Sequence, residues 1–517
     1  MRVAATGLVA AIALAGCGSR ESGDHAASDT GSFTVLAGSE LRDLEPALVK
    51  AAHDAGVKLK LSYAGTLDIV ERTNDGEAFD AILPPNGAYP ALALSTKPVA
   101  REKLFYSRVA LGVKAAKLAE LGWDRHTPTW ADIANAAGTG RLRYAMTNPT
   151  SSNTGMSALF AVASAVAGKT EDLNVQEVNA KVLTAFLSGQ KLTAGSSGWL
   201  AEAFLKNSSA LDAMVNYEAV LLRTNQKLAS ADRLIPVYPR DGVISADYPL
   251  MLLNGARRAD YDKLVAAFRT PQFQEQAVAG SFLRPSVPGV APAPGLSVEP
   301  VAELTFPNSL EVIDAVLSSY QGEWRRPATS IFVLDVSGSM AGARLDALKG
   351  ALAVLAGADA RSASSRYARF QNREHVVLVA FASGVQEPVW VKFDAQSLES
   401  GRSQVLAYAE RLTANGDTAI YSALVQAEAL AAQERTRSPE RFVSIVLLTD
   451  GQNNQGLGLD EFRQRQSGTV AAPVFPILFG ESDSGDMESL AQFTGGRVFD
   501  GRKASLSLVF KEIRGYQ

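Results

Sequence analysis

Residues 330–334, Ser-Ile-Phe-Val-Leu, form an almost unbroken apolar run that ends on Asp335-Val336-Ser337-Gly338-Ser339-Met340. A strand with one face in water alternates apolar and polar residues. A run without alternation has to be covered on both faces, as in a parallel sheet flanked by helices. Leu345, Leu348, Leu352 and Leu355 follow at helical spacing. The order strand, polar loop, helix puts Asp335, Ser337 and Ser339 in a loop at the carboxyl end of a strand, where open α/β sheets hold ligands. Gly338 allows that loop to turn tightly. Further apolar runs at 376–381, 443–448 and 474–479, with a closing helix from about residue 504, extend the pattern into a doubly wound parallel sheet.

The Asp-x-Ser-x-Ser pattern of Asp335, Ser337 and Ser339 resembles that of the von Willebrand factor A (VWA, Rossmann-like) family. Its metal-ion-dependent adhesion site (MIDAS) also takes a threonine and a second aspartate from later loops. Asn415-Gly416-Asp417-Thr418-Ala419 opens a helical run and supplies Thr418. The strand at 443–448 delivers Thr449-Asp450-Gly451 and supplies Asp450. Serine and aspartate also cap helices, but three loops filled in the family's order argue against capping alone. Asp417 and Asn453 are read as turn or capping residues. Arg361, Arg366, Arg369 and Arg373 read as a solvated face.

Carboxylate and hydroxyl oxygens without histidine or sulfur select a hard cation: magnesium by preference, with manganese or calcium able to replace it. The resemblance implies that the two serines bind the metal directly. It further implies that an Asp or Glu of a protein partner completes the coordination.

The front half has a different texture. Short apolar runs at 33–37, 59–63 and 79–83 alternate with helical patterns, which makes an α/β layer. Extended runs near 104–113 and 247–253 flank a section with its own α/β pattern. This resembles a bacterial extracellular solute-binding protein of the two-lobe periplasmic type, with the two extended runs as hinges. The resemblance places the cleft at Gly38 and Ser39, at Ala64, Gly65 and Thr66, at Ser151, Ser152, Thr154 and Gly155, at Ser196, Ser197 and Trp199, and at Tyr217 and Glu218. Ser151-Ser152-Asn153-Thr154-Gly155 before a helical run suits a small anion or polar solute held by backbone N–H groups and hydroxyls. The same letters are those of an ordinary helix cap, and both readings stay open.

The lone cysteine, Cys17, excludes intramolecular disulfides and thiolate metal cages. Met1-Arg2, a small and apolar run at 3–15 and Leu14-Ala15-Gly16-Cys17 resemble a bacterial lipoprotein signal. On that resemblance Cys17 is acylated and anchors the mature protein to the membrane from the extracytoplasmic side, at the cell surface or in the periplasm. The expected organisation is a signal peptide at 1–16, a flexible tether at 17–32 and a two-lobe module at 33–289. A Pro-rich linker with a bridging helix at 290–325 and a VWA domain at 326–517 complete it.

With a net charge of −4 and mixed signs, the chain carries no nucleic-acid footprint. His25, His53, His126 and His375 are scattered without zinc spacing. There is no Gly-x-Ser-x-Gly elbow, phosphate-binding Gly-Lys loop or His-Glu-x-x-His, so a binding role is expected rather than an enzyme. The first reading is a lipid-anchored protein whose VWA domain grips a protein partner through a metal. The alternative is a solute receptor of an ABC-type transporter with an accessory VWA docking domain.

Overall fold

The computed structural model describes residues 31–358, 363–480, 484–502 and 506–516. The signal segment, Cys17 and the tether up to residue 30 lie outside the described residues.

The chain builds three α/β sheets, the first two of them interleaved in sequence. The first has the order Leu59–Ala64, Phe33–Gly38, Ala81–Leu83, Pro249–Leu252, Ala100–Lys103. Its first three strands are parallel, with Val35 opposite both Leu61 and Ala81. Pro249–Leu252 runs antiparallel between Ala81–Leu83 and Ala100–Lys103. The second sheet is built around Phe105–Lys114, which pairs with Ala213–Tyr217, Leu234–Val237, Ser245–Ala246 and Arg284–Pro285; Tyr144–Thr147 and Gln190–Ala194 extend it.

The chain crosses between these lobes at Leu104, and again at Asp247 and Tyr248. Each crossing is shorter than the extended run that contains it, because the rest of that run is paired strand. Gly112 inside Phe105–Lys114 has no room for a side chain, since a Cβ would lie 2.7 Å from Leu221.

The third sheet has the order Val389–Phe393, Glu374–Phe381, Ala328–Asp335, Phe442–Thr449, Val474–Leu478, Phe499–Asp500. All neighbours are parallel except Val389–Phe393. The central strand Ala328–Asp335 is buried throughout, as its lack of alternation requires. Ile331 and Val333 face one apolar cluster, and Phe332 and Leu334 the other.

The Pro-rich segment is not a free spacer. Ser245 bonds Glu303 through its backbone N–H at 2.7 Å and its hydroxyl at 3.0 Å. Phe306 packs edge-on against Phe160 at 5.1 Å. The bridging helix Leu310–Ser319 starts on a Ser309 cap and buries Ile313 and Leu317 in the core of the front lobes.

Candidate metal centre and solute cleft

Asp335 is the last residue of the central strand, and its side chain is fully buried. Its Oδ1 accepts from the Ser337 backbone N–H at 2.8 Å and its Oδ2 from the Thr449 hydroxyl at 2.6 Å. Burial pushes the Asp335 carboxyl above its ordinary value, against these two bonds. The Ser337 and Ser339 hydroxyls lie 3.1 Å apart, and Ser339 donates to Asp450 Oδ1 at 2.8 Å. The third loop closes in through the Gly338 N–H, which donates to the Gly416 carbonyl at 2.9 Å; Gly416 itself sits at φ +82°. A Cβ on Gly451 would be 3.7 Å from Ser339 Oγ and 3.9 Å from Thr418 Oγ1, so both hydroxyls border one point. Asp335, Ser337, Ser339, Thr418 and Asp450 are therefore brought together.

Asp417 is exposed, and its N–H donates to Ser383 Oγ at 2.8 Å. The Asn453 amide donates to the Leu457 carbonyl at 2.9 Å. Both are loop-forming residues. Two members escaped the sequence pattern: Thr449, which orients Asp335, and Arg344, whose Nη1 donates to Asp450 Oδ2 at 2.5 Å. Among the described residues no cluster of three His, Cys, Asp or Glu side chains occurs. The donor set thus rests on two carboxylates and three hydroxyls, which fits magnesium with several waters retained.

In the front module the two lobes meet directly. A Cβ on Gly65 would lie 2.2 Å from the Ser151 carbonyl oxygen, so only glycine permits this approach. A Cβ on Gly38 would lie 2.6 Å from Glu40 Oε1, at the movable end of that side chain, and a Cβ on Gly198 would lie 3.6 Å from the Ser39 carbonyl. Thr154 and Ser197 share a short hydroxyl–hydroxyl bond. Asn153 donates to the Tyr217 hydroxyl at 2.9 Å, and the Tyr217 ring is 6.0 Å from that of Tyr248. Glu218 is committed to Arg284 at 2.6 Å and to Tyr238 at 2.6 Å. Gly155 donates its N–H to Thr147 Oγ1 at 2.8 Å.

Ser152 and Ser196 do stand at the N-caps of Asn153–Ala167 and Ser197–Asn207, yet neither hydroxyl caps its helix. Instead Glu40 Oε1, Thr66 Oγ1, Asn153 Oδ1, Ser196 Oγ and the Tyr248 hydroxyl are buried without hydrogen-bond partners. Burial pushes the Glu40 carboxyl up to about 7. Glu40, Asn153 and Tyr248 were not marked as cleft residues by the sequence pattern.

Residues 33–279 match the family model for bacterial extracellular solute-binding proteins, and residues 330–452 match that for the von Willebrand factor type A domain. The chain joins a solute-binding-protein-like domain to a VWA domain. A comparison with curated proteins gives no match. Among solved structures, a ferric binding protein from Campylobacter jejuni is similar at 12% identity and a TM-score of 0.44, over 55% of this chain and 96% of that one. A periplasmic thiamin binding protein is similar at 16% identity and 0.46, over 56% and 95%. A von Willebrand factor type A protein from Catenulispora acidiphila is similar at 23% identity and 0.30; the match spans 37% of this chain and 42% of that one.

The VWA domain reaches the cleft through its own C-terminal helix, Leu506–Arg514. Lys511 pairs with Glu71 of the first lobe at 2.9 Å. Asn148 of the second lobe donates to the Arg514 carbonyl at 3.4 Å. Trp199 stacks on Tyr516 at 6.3 Å and carries the Arg497 guanidinium 3.6 Å over its ring. A Cβ on Gly515 would lie 2.8 Å from Gly195 Cα. A cavity of about 110 Å³ remains beneath, bordered by Gly65, Asp68, Ser151, Trp199 and Glu512. Burial raises the Asp68 carboxyl to about 7 and pushes Glu512 up as well. Gly65, Ser151 and Trp199, assigned by sequence to a solute cleft, thus also border the C-terminal segment.

Proposed function

We propose that the VWA domain binds a divalent metal ion, magnesium by preference, through Asp335, Ser337, Ser339, Thr418 and Asp450, and grips an acidic residue of a partner protein through it. The observation that supports this most is the convergence of hydroxyl and carboxylate oxygens from three loops around Ser339. Asp335 is pre-oriented by Thr449 and Ser337 and cannot rotate away without losing both bonds. A bound cation would offer a coordination place to an incoming carboxylate. With only two protein carboxylates near a double positive charge, a third is not strongly repelled.

A binding-protein role accords with both matched family models, and an extracellular family supports an extracytoplasmic location. Lipid anchoring at Cys17 rests on Leu14-Ala15-Gly16-Cys17. The role is binding rather than catalysis.

A second reading, a solute receptor with an accessory VWA domain, is favoured by the unpartnered atoms of the cleft. Glu40 Oε1 and Asn153 Oδ1 are acceptor atoms left without a donor, which a solute that donates hydrogen bonds would satisfy.

Calorimetry on the mature chain tests the first reading: magnesium and manganese are taken up, and Asp450→Asn abolishes uptake. Pull-downs from native membranes then lose a captured protein on chelation. Absence of metal uptake by the folded wild-type chain refutes the reading.

A further inference from the structure

The position of Arg344 carries an inference about how the metal site is regulated, and it rests on the metal-binding reading above. Arg344 lies in the first turn of the helix Ala343–Leu355, just after Gly342 at φ +77°. A cation there opposes the helix dipole, which favours negative charge at this end. Its placement therefore calls for compensation, and Asp450 provides it. Arg344 Nη1 lies 2.5 Å from Asp450 Oδ2 and 3.4 Å from the Ser339 carbonyl.

The Asp450 side chain is 0% exposed, while that of Arg344 is 37% exposed, so the arginine is the face that this carboxylate turns to solvent. The slot is built on both sides. Gly480, at φ +56°, stands where a Cβ would come within 3.0 Å of the Arg344 guanidinium carbon and of the Asp450 Cβ. A side chain at position 480 would press on both the arginine and Asp450. The other oxygen of the same carboxylate, Oδ1, faces Ser339 and the candidate metal position.

We propose that Arg344 is a built-in cation that opposes the metal for Asp450 and so sets the affinity of the site. One carboxylate serves two positive groups. If the guanidinium leaves when metal arrives, its ion pair is lost; if it stays, its charge repels the metal. Either way arginine weakens metal binding and stabilises the site without it. The side chain is long and partly exposed, so it can swing outward without moving the helix.

The test is manganese calorimetry on the mature full-length chain, with thermal unfolding in chelator and in excess manganese. Arg344→Ala is expected to bind manganese about tenfold tighter, the effect of losing one charge-assisted contact. It is also expected to unfold at lower temperature than wild type in chelator, with the gap narrowing in manganese. Arg344→Lys keeps a charge and should stay near wild-type affinity. Arg344→Gln keeps the stem without the charge and replaces alanine should that variant not fold. Equal or weaker manganese binding by the folded neutral variants overturns the proposal while leaving the metal reading intact. No uptake by wild type and variants alike overturns the metal reading itself.

Discussion

Replacing Glu40 with glutamine isolates the electrostatics of the interlobe cleft. Glu40 is buried at the junction, and its Oε1 has no hydrogen-bond partner. Arg223 offsets its burial only in part. It donates to the Glu40 backbone carbonyl at 3.2 Å and pairs with Asp43 at 3.1 Å. Burial therefore raises the carboxyl from 4.5 to about 7, which corresponds to about 3 kcal/mol between the two protonation states.

A carboxyl raised in the folded state binds its proton more tightly there than in the unfolded chain. Its contribution to stability is complete below the ordinary carboxylate value and is lost as pH rises through about 7. For a domain of this size, the loss is worth roughly 6–12 °C in midpoint. Glu40→Gln keeps the shape and removes the titration. Differential scanning calorimetry of both proteins from pH 5 to 8 should show the variant gaining on wild type by that amount. Asp68 also titrates near 7, but it is present in both proteins and cancels in the difference. Parallel curves for the two proteins would refute the reasoning.

The remaining predictions concern the joints of the molecule. Glu374, 2% exposed, lies between the buried guanidiniums of Arg325 and Arg514, so Glu374→Leu should cost about 3–5 kcal/mol in denaturant unfolding. Burial raises the Glu374 carboxyl, but Arg514 and Arg325 outweigh it and hold it below its ordinary value. Its stabilisation is thus present above the ordinary carboxylate range and disappears as pH falls through the lowered value, which urea titrations in acid will detect. Gly65→Val places atoms into the Ser151 backbone and should hold the lobes apart, visible as a larger radius of gyration in X-ray scattering; an unchanged radius counts against direct lobe contact. Trp199→Ala removes the stack on Tyr516 and the Arg497 contact, together roughly 1–2 kcal/mol. Hydrogen exchange in residues 506–516 should then accelerate about tenfold, and unchanged exchange would show that the tail does not depend on this stack.

The candidate metal constellation was legible because Asp335, Ser337 and Ser339 share one strand-to-loop junction, Asp450 follows a second strand and Thr418 stands just before a helix. Asp335 ends a strand buried on both faces, and Asp450 directly follows another, so local pattern alone carries them to one edge of the sheet. The cleft was legible only in outline. Gly65 and Ser151 were identified from their loops, but Glu40 and Tyr248 meet Tyr217 and Asn153 only when two lobes close, and no local spacing encodes that closure. Capping was a reasonable alternative for Ser152 and Ser196, and the structure separates position from bonding: both occupy N-caps and neither caps. Arg344 left one faint trace, a cation in a first helical turn beside an Asp-Ser-Ser loop. The Pro-rich linker was read as a connection from its composition, and Leu304 and Phe306 are the buried apolar residues that tie part of it down.

The two lobes are not attached to the VWA domain in the same way. One apolar cluster runs without a break from Leu200 and Phe204 of the second lobe to Phe332, Phe510 and Tyr516 of the VWA domain. The first lobe reaches the C-terminal helix through the ion pair Lys511–Glu71, over a cavity flanked by the buried carboxyls of Asp68 and Glu512, and packs Thr66–Asn74 against Ala363–Ala368, with Tyr367 in its apolar core. Each lobe thus shares apolar packing with the VWA domain, and the first adds an ion pair to it. Arg514, on the same helix as Lys511, is locked to Glu374 and Ala368, so the helix is held from the VWA side. The candidate metal residues Asp335 and Asp450 thus sit in a domain that packs against both lobes of the cleft.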